Sequence, residues 1–212
     1  SAYTRPMAEG EKLRLGYELT HITPDQQTLF SRGPSEDGLT LVPGLSNRFE
    51  GEQTVHALYT TYERALTPKL SLQGGLRLEQ ADITVEDITG GQSASQDYFR
   101  AYPTGHLQYQ LSETQTLRAS YSRRIQRPQL SQLNPFVSYA SVLHRASGNP
   151  DLQPQETDSF EAMWQVRQGQ SFYQATAYYR DTNKAFTDVV TELEDGVLLT
   201  RPDNLGSRRD MG

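Results

Sequence analysis

A run of arginines in the second half of the chain is the strongest concentration of side chains that could bind a charged ligand. Arg123, Arg124 and Arg127 lie close together, and Arg145 follows in the same predicted loop. A guanidinium group forms two parallel hydrogen bonds to a carboxylate or phosphate, so this cluster could hold an anionic substrate or a lipopolysaccharide phosphate. The alternative is a structural role in ion pairs. Acids available for such pairs in the same region are Asp151, Glu156 and Asp158.

No motif of the sequence is typical of a catalytic or metal centre. The chain contains no cysteine and four histidines, which are His21, His56, His106 and His144. None of these histidines has a partner at the spacing of metal ligands. His144 has Ser141 and Asp151 nearby, as an outer-membrane hydrolase would need, but the chain lacks a Gly-x-Ser-x-Gly elbow. We therefore predict no enzymatic activity, no metal site and no cofactor.

Composition narrows the class of protein. The 212 residues include 35% hydrophobic and 22% charged residues, with a formal net charge of −6 and a mean hydropathy of −0.69. No run of about 18 apolar residues is present, so we predict no transmembrane helix. The acidity and the lack of a basic run predict no nucleic-acid partner. The first residues do not resemble a signal peptide, and we expect the chain to be a piece of a longer protein.

Apolar and polar residues alternate with a period of two along most of the chain, which is typical of two-faced β-strands. Predicted strands lie near residues 11–22, 52–66, 69–83, 98–111, 115–125, 156–167 and 171–187. The stretch 53–65 is less clear, because Leu58 and Tyr62 fall on the face opposite Val55, Ala57 and Tyr59.

The connections between these strands alternate strictly between short and long. Tight turns are predicted at 66–69, 112–115 and 167–170, and Asp195-Gly196 is expected to form a small hairpin turn within the last long loop. The long loops are predicted near 23–51, 80–97, 124–156 and 181–207. Transmembrane barrels have short periplasmic turns and long extracellular loops. The pattern predicts an all-β fold of antiparallel up-and-down strands, about seven or eight strands of a larger outer-membrane β-barrel.

In this interpretation the apolar face contacts outer-membrane lipid and the polar face lines a wet lumen. The side chains that we expect to contact a substrate, in the lumen or in the loops, are Arg100, His106, Arg118, Arg124, Arg127 and His144. The alternative fold is a soluble β-sandwich with its polar face outward, which would bind carbohydrate through its tyrosines.

Two segments carry a resemblance to a known family. Residues 120–136 read SYSRRIQRPQLSQLNPF and residues 148–164 read GNPDLQPQETDSFEAMW. Together they resemble the C-terminal barrel region of TonB-dependent outer-membrane receptors, in the subgroup of outer-membrane β-barrel family proteins. Strand-like segment 69–80 and Tyr102-Pro103 are also similar to this family, and Asn204-Leu205-Gly206 resembles the start of a further strand.

This resemblance implies a receptor in the outer membrane of a Gram-negative bacterium that takes up a small molecule, such as a siderophore, a vitamin or an oligosaccharide. Receptors of this kind have a plug domain, through which they contact the energy-transducing TonB complex, and we find no plug in these residues. Because the motif includes the Arg123-Arg124 pair whatever the substrate, we favour a structural role for the arginines. An ungated structural barrel is a further alternative.

Overall fold

The computed structural model describes residues 2–6, 10–34, 38–139, 141, 143–194 and 196–212. Its main sheet is built from long strands that follow one another along the chain. They are β1 (Ala2–Pro6), β2 (Glu11–Ile22), β6 (Asn47–Thr67), β7 (Leu70–Asp87), β8 (Gln92–Ser112), β9 (Gln115–Gln126), β12 (Gln155–Gln168), β13 (Ser171–Asn183) and β16 (Ser207–Met211). No helix among the described residues has the length and apolar character needed to cross a bilayer.

Short elements lie in the connections between these strands. They are β3 (Asp25–Thr28), β4 (Ser31–Arg32), β5 (Thr40–Leu41), a 3-10 turn at Pro43–Leu45, a second 3-10 turn at Leu130–Leu133, β10 (Ser138–Tyr139), β11 (His144–Ala146), β14 (Phe186–Glu192) and β15 (Leu198–Asn204).

The main sheet has the order β1-β2-β6-β7-β8-β9-β12-β13-β16, with every neighbouring pair antiparallel, and β3 extends the pairing of β6. Each strand thus pairs with the next long strand, which is the up-and-down arrangement. Within the described residues the sheet does not close on itself, because β1 and β16 are its two edges. A single continuous sheet also contradicts the alternative of two stacked sheets in a sandwich.

The two ends of the sheet differ in their connections. At one end, here called the turn end, two residues join β6 to β7, β8 to β9 and β12 to β13. The opposite end, here called the loop end, carries the segments 23–46, 127–154 and 184–206. The prediction of a long loop at 80–97 is wrong. Strands β7 and β8 run through this stretch as a hairpin, and only residues 88–91 form the turn between them. The hairpin of β14 and β15 lies within the last long connection, with Gly196 at φ 69°; Asp195 lies outside the described residues.

The wrong prediction has a physical cause that is visible in β7. From Leu70 to Leu78 the even-numbered residues are mostly leucines on the outer face, where Leu72 and Leu76 are exposed. Beyond Glu79 the apolar residues change to the inner face: Ala81 and Ile83 are buried while their neighbours Asp82 and Thr84 are exposed. A search for one constant apolar face therefore places the end of the strand near residue 83, before its true end at Asp87.

The same change of face explains the ambiguous stretch 53–65 in β6. In the half near the turn end, Leu58 and Tyr62 lie on the outer face, in register with Tyr17 and Leu13 of β2. Val55 and Ala57 point inward and are buried. The outer set thus lies towards the turn end and the inner set towards the loop end.

The hydrophobic core lies on the inner face at the loop end. Phe49 of β6, with Ile83 and Val85 of β7, packs against Leu133 and Leu152 of the segment 127–154, and all five are buried. This core fixes the connecting segment against the wall of the sheet.

Gly16 of β2 offers a test of the inner wall. A Cβ atom at Gly16 would overlap the ring of Tyr59, its partner on β6, whereas a Cβ at Gly74 of β7 meets nothing within 4 Å. The overlapping atoms are the outer end of the Tyr59 ring, which can move away if its side chain leaves its present rotamer. We therefore expect Gly16→Val to destabilise the folded sheet by about 1 kcal/mol, and to lower the urea midpoint of the full-length protein in detergent. Gly74→Val is the matched control, and it should leave that midpoint unchanged or raise it. Equal midpoints for the two variants would contradict the described packing of Tyr59.

Candidate functional site

The inner face of the sheet carries a chain of ion pairs centred on the buried carboxylate of Glu79. The side chain of Glu79 is only 5% exposed and pairs with Arg127, while Arg77 Nε donates to Glu79 Oε1 at 2.6 Å. Arg77 also pairs with Glu18 of β2 at 3.2 Å, and Arg127 Nε donates to the Tyr98 hydroxyl at 2.9 Å. This network joins β2, β7 and β8 to the start of the segment 127–154.

Arg127 is therefore a structural side chain in this fold. Burial lowers the pKa of its guanidinium, but the neighbouring Tyr98 and Glu79 more than compensate, so the pKa of Arg127 is raised and the group stays charged. A buried carboxylate without a cationic partner would be strongly unfavourable, which makes Glu79 depend on its two arginines.

The other members of the arginine cluster are separated by the fold. Arg123 lies on the outer face near the loop end, where it forms two hydrogen bonds to Asp158 of β12, at 2.9 and 2.8 Å. Arg145 stacks on the ring of Tyr139, with its guanidinium carbon 5.2 Å from the ring centre. Of the proposed acidic partners, Asp158 pairs with Arg123 and Glu156 pairs with Arg100; Asp151 forms no ion pair among the described residues.

The six predicted substrate-contacting residues do not form one site. His106 and Arg118 line a hollow of about 360 Å³ on the inner face, together with Glu161. His106 also borders a second hollow of about 610 Å³, which Arg124 lines. Arg100 pairs with Glu156 at 3.0 Å, and Arg127 belongs to the Glu79 network.

His144, the remaining candidate, is an exposed residue of β11 at the loop end. Strand β11 pairs in parallel with β15, so that His144 lies opposite Leu198. Its side chain forms no hydrogen bond with the described residues. The structure describes no group of three or more His, Asp or Glu side chains that could hold a metal ion.

The three long connections of the loop end line an open cavity of about 740 Å³, called the loop cavity below. Its aromatic walls are Phe30 from the first connection, with Phe136 and Tyr139 from the second. The hairpin of β14 and β15 contributes Asp188 and Thr200. This volume is within the range of pockets that bind small molecules.

Hydrogen bonds between the connections hold the walls of the loop cavity in place. Asn134 Nδ2 donates to Asn47 Oδ1 at 2.9 Å, and Asn47 Nδ2 donates to Asp87 Oδ1 at 2.7 Å. Asn149 Nδ2 donates to the carbonyl oxygen of Pro202 at 3.0 Å, which joins the second connection to the hairpin. The cavity is thus preformed by contacts that do not need a ligand.

Gly148 shows why this part of the sequence is constrained. Its backbone N–H donates to Asn134 O, and the next N–H, of Asn149, donates to Gln132 O. A Cβ atom at Gly148 would lie 2.5 Å from Gln132 O and 2.6 Å from Asn134 O. The motifs LNPF and GNP therefore pack backbone against backbone, and only glycine fits at position 148.

Sequence reasoning missed the loop cavity. Of the aromatic residues in its walls, only Phe136 belongs to a motif that resembles the receptor family, LNPF, and the sequence predicts no function for it. Phe30, Tyr139 and Asp188 lie in three different parts of the chain, and no local pattern marks them. Only the folded connections bring them together.

The geometry agrees with the comparison to known families. The family model described as "Outer membrane protein beta-barrel family" matches residues 1–212. The chain belongs to this outer-membrane β-barrel family. Its location is the outer membrane of a Gram-negative bacterium, and the predicted fold class, antiparallel strands of an outer-membrane barrel, is confirmed. From the general rule for such barrels, we expect the loop end to be the extracellular end and the turn end to be the periplasmic end.

Solved structures of receptors and transporters have the same fold. The copper transporter OprC matches with a TM-score of 0.71 at 15% identity, over 100% of this chain and 33% of that one. The hemophore receptor HasR of Serratia marcescens matches with a TM-score of 0.66 at 13% identity, over 95% and 39% of the two chains. The ferric-catecholate import receptor Fiu of E. coli K12 matches with a TM-score of 0.62 at 18% identity, over 100% and 33%.

The chain thus spans between a third and two fifths of the length of these solved proteins. These proteins are a transporter and two receptors. The search for similar sequences among curated proteins gave no significant match.

The buried ion pairs of Glu79 should contribute more to the free energy of unfolding than an exposed ion pair does. Glu79→Gln leaves Arg127 without its carboxylate in a buried position, and we expect this to cost about 3 kcal/mol of unfolding free energy. The measurement is urea unfolding of the full-length protein in detergent.

Glu50 of β6 provides the matched control, because its carboxylate pairs with Arg48 at 2.7 Å but is 43% exposed. Surface pairs contribute little, so Glu50→Gln should leave the urea midpoint unchanged. The buried network would lose its assigned role if both variants unfolded at the midpoint of the parent protein.

Proposed function

We propose that this chain forms part of the barrel of a TonB-dependent outer-membrane receptor, which takes up a small-molecule substrate with energy from the TonB complex. The observation that carries the proposal is the difference between the outer and the inner face of the sheet. Its outer face is apolar at mid-height, its inner face is polar, and its extracellular connections line the loop cavity. Such a wall suits a polar conduit beneath an external binding site.

The similarity to solved receptors supports the same proposal. HasR is described in complex with a hemophore and heme, and Fiu is described as a ferric-catecholate import receptor. In our proposal a plug domain, supplied by another part of the receptor, occupies the polar hollows that His106, Arg118 and Arg124 border. These three residues then contact the plug or a passing substrate.

Binding to TonB tests the function directly. The full-length receptor, purified in detergent, should be retained by an immobilised periplasmic domain of TonB, and deletion of the plug should abolish this retention. If the intact receptor is not retained at tens of micromolar protein, the energy-coupled function is wrong, and an ungated structural barrel becomes the better interpretation.

The orientation of the wall gives a second prediction. The chain contains no cysteine, so a single introduced thiol of this segment reports its own location. Glu194, between β14 and β15, and Glu113, between β8 and β9, are both exposed but lie at opposite ends of the sheet. In intact cells, Glu194→Cys should react with a membrane-impermeant maleimide, and Glu113→Cys should react only after the outer membrane is permeabilised. The reverse result would invert the assigned orientation.

A further inference from the structure

The side chains that line the loop cavity are aromatic, hydrogen-bonding or aliphatic, the last being Leu45, Ala146 and Pro202, and they are almost uncharged. Asp188 is the only ionisable acid or base among the lining residues that the structure describes, apart from the Tyr139 phenol. Among the described residues no arginine, lysine or histidine lines the cavity, although arginines are frequent in the same connections.

Two of the nearby arginines form ion pairs, and two others contact neutral groups. Arg127 pairs with Glu79, Arg123 pairs with Asp158, and Arg201 donates to Asn149 Oδ1. Arg145 stacks on the ring of Tyr139 and does not itself line the cavity. An anionic ligand would therefore enter a site whose one full charge is a carboxylate, and where no lining cation repays its desolvation.

The hydrogen-bonding groups of the loop cavity suit hydroxyl ligands. The hydroxyls of Thr28, Ser131, Ser147 and Thr200 line the cavity, and none of them forms a side-chain hydrogen bond with the described residues. A hydroxyl both donates and accepts, so these four groups can pair with ligand hydroxyls in either direction. The exposed carboxylate of Asp188 can accept hydrogen bonds from two neighbouring hydroxyls of one ligand.

Three aromatic rings complete the lining. Phe30 is 45% exposed and Tyr139 is 51% exposed, while Phe136 is half-buried. Exposed rings of this kind offer flat apolar surfaces beside polar groups. A ligand that has both apolar C–H faces and many hydroxyls would use the rings and the hydroxyls at the same time, and a sugar ring has this character.

We propose that the loop cavity binds a neutral oligosaccharide, with the sugar rings against Phe30, Phe136 and Tyr139 and the sugar hydroxyls hydrogen-bonded to Asp188 and the lining hydroxyls. This inference rests on the proposed function, because it names the substrate class of the proposed receptor.

The test is calorimetric titration of the full-length receptor in detergent with two sets of probes. The first set consists of neutral hexasaccharides of glucose (α- and β-linked), xylose, mannose and N-acetylglucosamine. The second set consists of anionic chelates, namely ferric citrate and haem. At least one neutral hexasaccharide should bind, with an affinity that changes less than about twofold between low and high salt because no charge pair is involved.

Variants locate the binding. Tyr139→Ala should weaken hexasaccharide binding about tenfold, as expected for the loss of one aromatic contact at about 1.4 kcal/mol, and Asp188→Asn should also weaken it. Tyr173→Ala is the matched control, because Tyr173 is 60% exposed near the periplasmic end of β13. Binding that all three variants weaken equally, or no binding to any neutral hexasaccharide, would overturn the proposal. So would haem or ferric citrate binding that Tyr139→Ala weakens.

The two proposals fail separately. A receptor that is retained by TonB but binds no neutral hexasaccharide keeps its transport function and loses this substrate class. A receptor that binds a hexasaccharide through Tyr139 but is not retained by TonB keeps its carbohydrate site and loses energy-coupled uptake.

Discussion

Hydrocarbon covers the outer surface of the sheet along only part of each strand, and the rest of the structure depends on where that cover ends. A bilayer core is crossed by about 9–11 residues of a tilted strand, whereas β7 has 18 residues and β8 has 21. Within the membrane the outer face must be apolar. Beyond it the same face meets water, so the exposed residues there are polar, such as Asp82 and Thr84. The inner face is then free to carry apolar residues.

That freedom determines how the extracellular connections fold. Ile83 and Val85 give the segment 127–154 an apolar surface on which Leu133 and Leu152 are buried. The Glu79 network lies just below, at the height where the polar lumen begins, and it fixes the start of the same segment through Arg127. The arginine and glycine motifs that resemble the receptor family are thereby explained by folding. They attach a loop to a wall, and they need no direct contact with substrate.

Much of the wall could be predicted from the sequence, because period-two alternation is a local signal. The outer residues of β7, from Leu70 to Leu78, were assigned to the correct face in this way. The last residues of the same strand, 84–87, lie outside the predicted strand 69–83, since Ala81, Ile83 and Val85 continue the alternation with the opposite phase. Most of the loop cavity could not be predicted from the sequence. Asn47, Asn134 and Asn149 hold its walls through contacts between residues far apart in the chain, and such contacts leave no periodic pattern.

The ion pairs that stabilise the sheet also determine which charges remain available to a ligand of the loop cavity. Arginine is the residue type most suited to bind anionic ligands, and the loop end contains several, but the fold uses Arg127 and Arg123 in ion pairs. A guanidinium that is already paired with a carboxylate has little affinity left for a second anion, because the exchange would leave the first carboxylate unpaired. The charges that make the wall stable thus leave the loop cavity with hydroxyls, amides, aromatic and aliphatic side chains and the one carboxylate of Asp188. Discrimination among substrates in such a cavity depends on shape and on the number of hydroxyls that can be satisfied together.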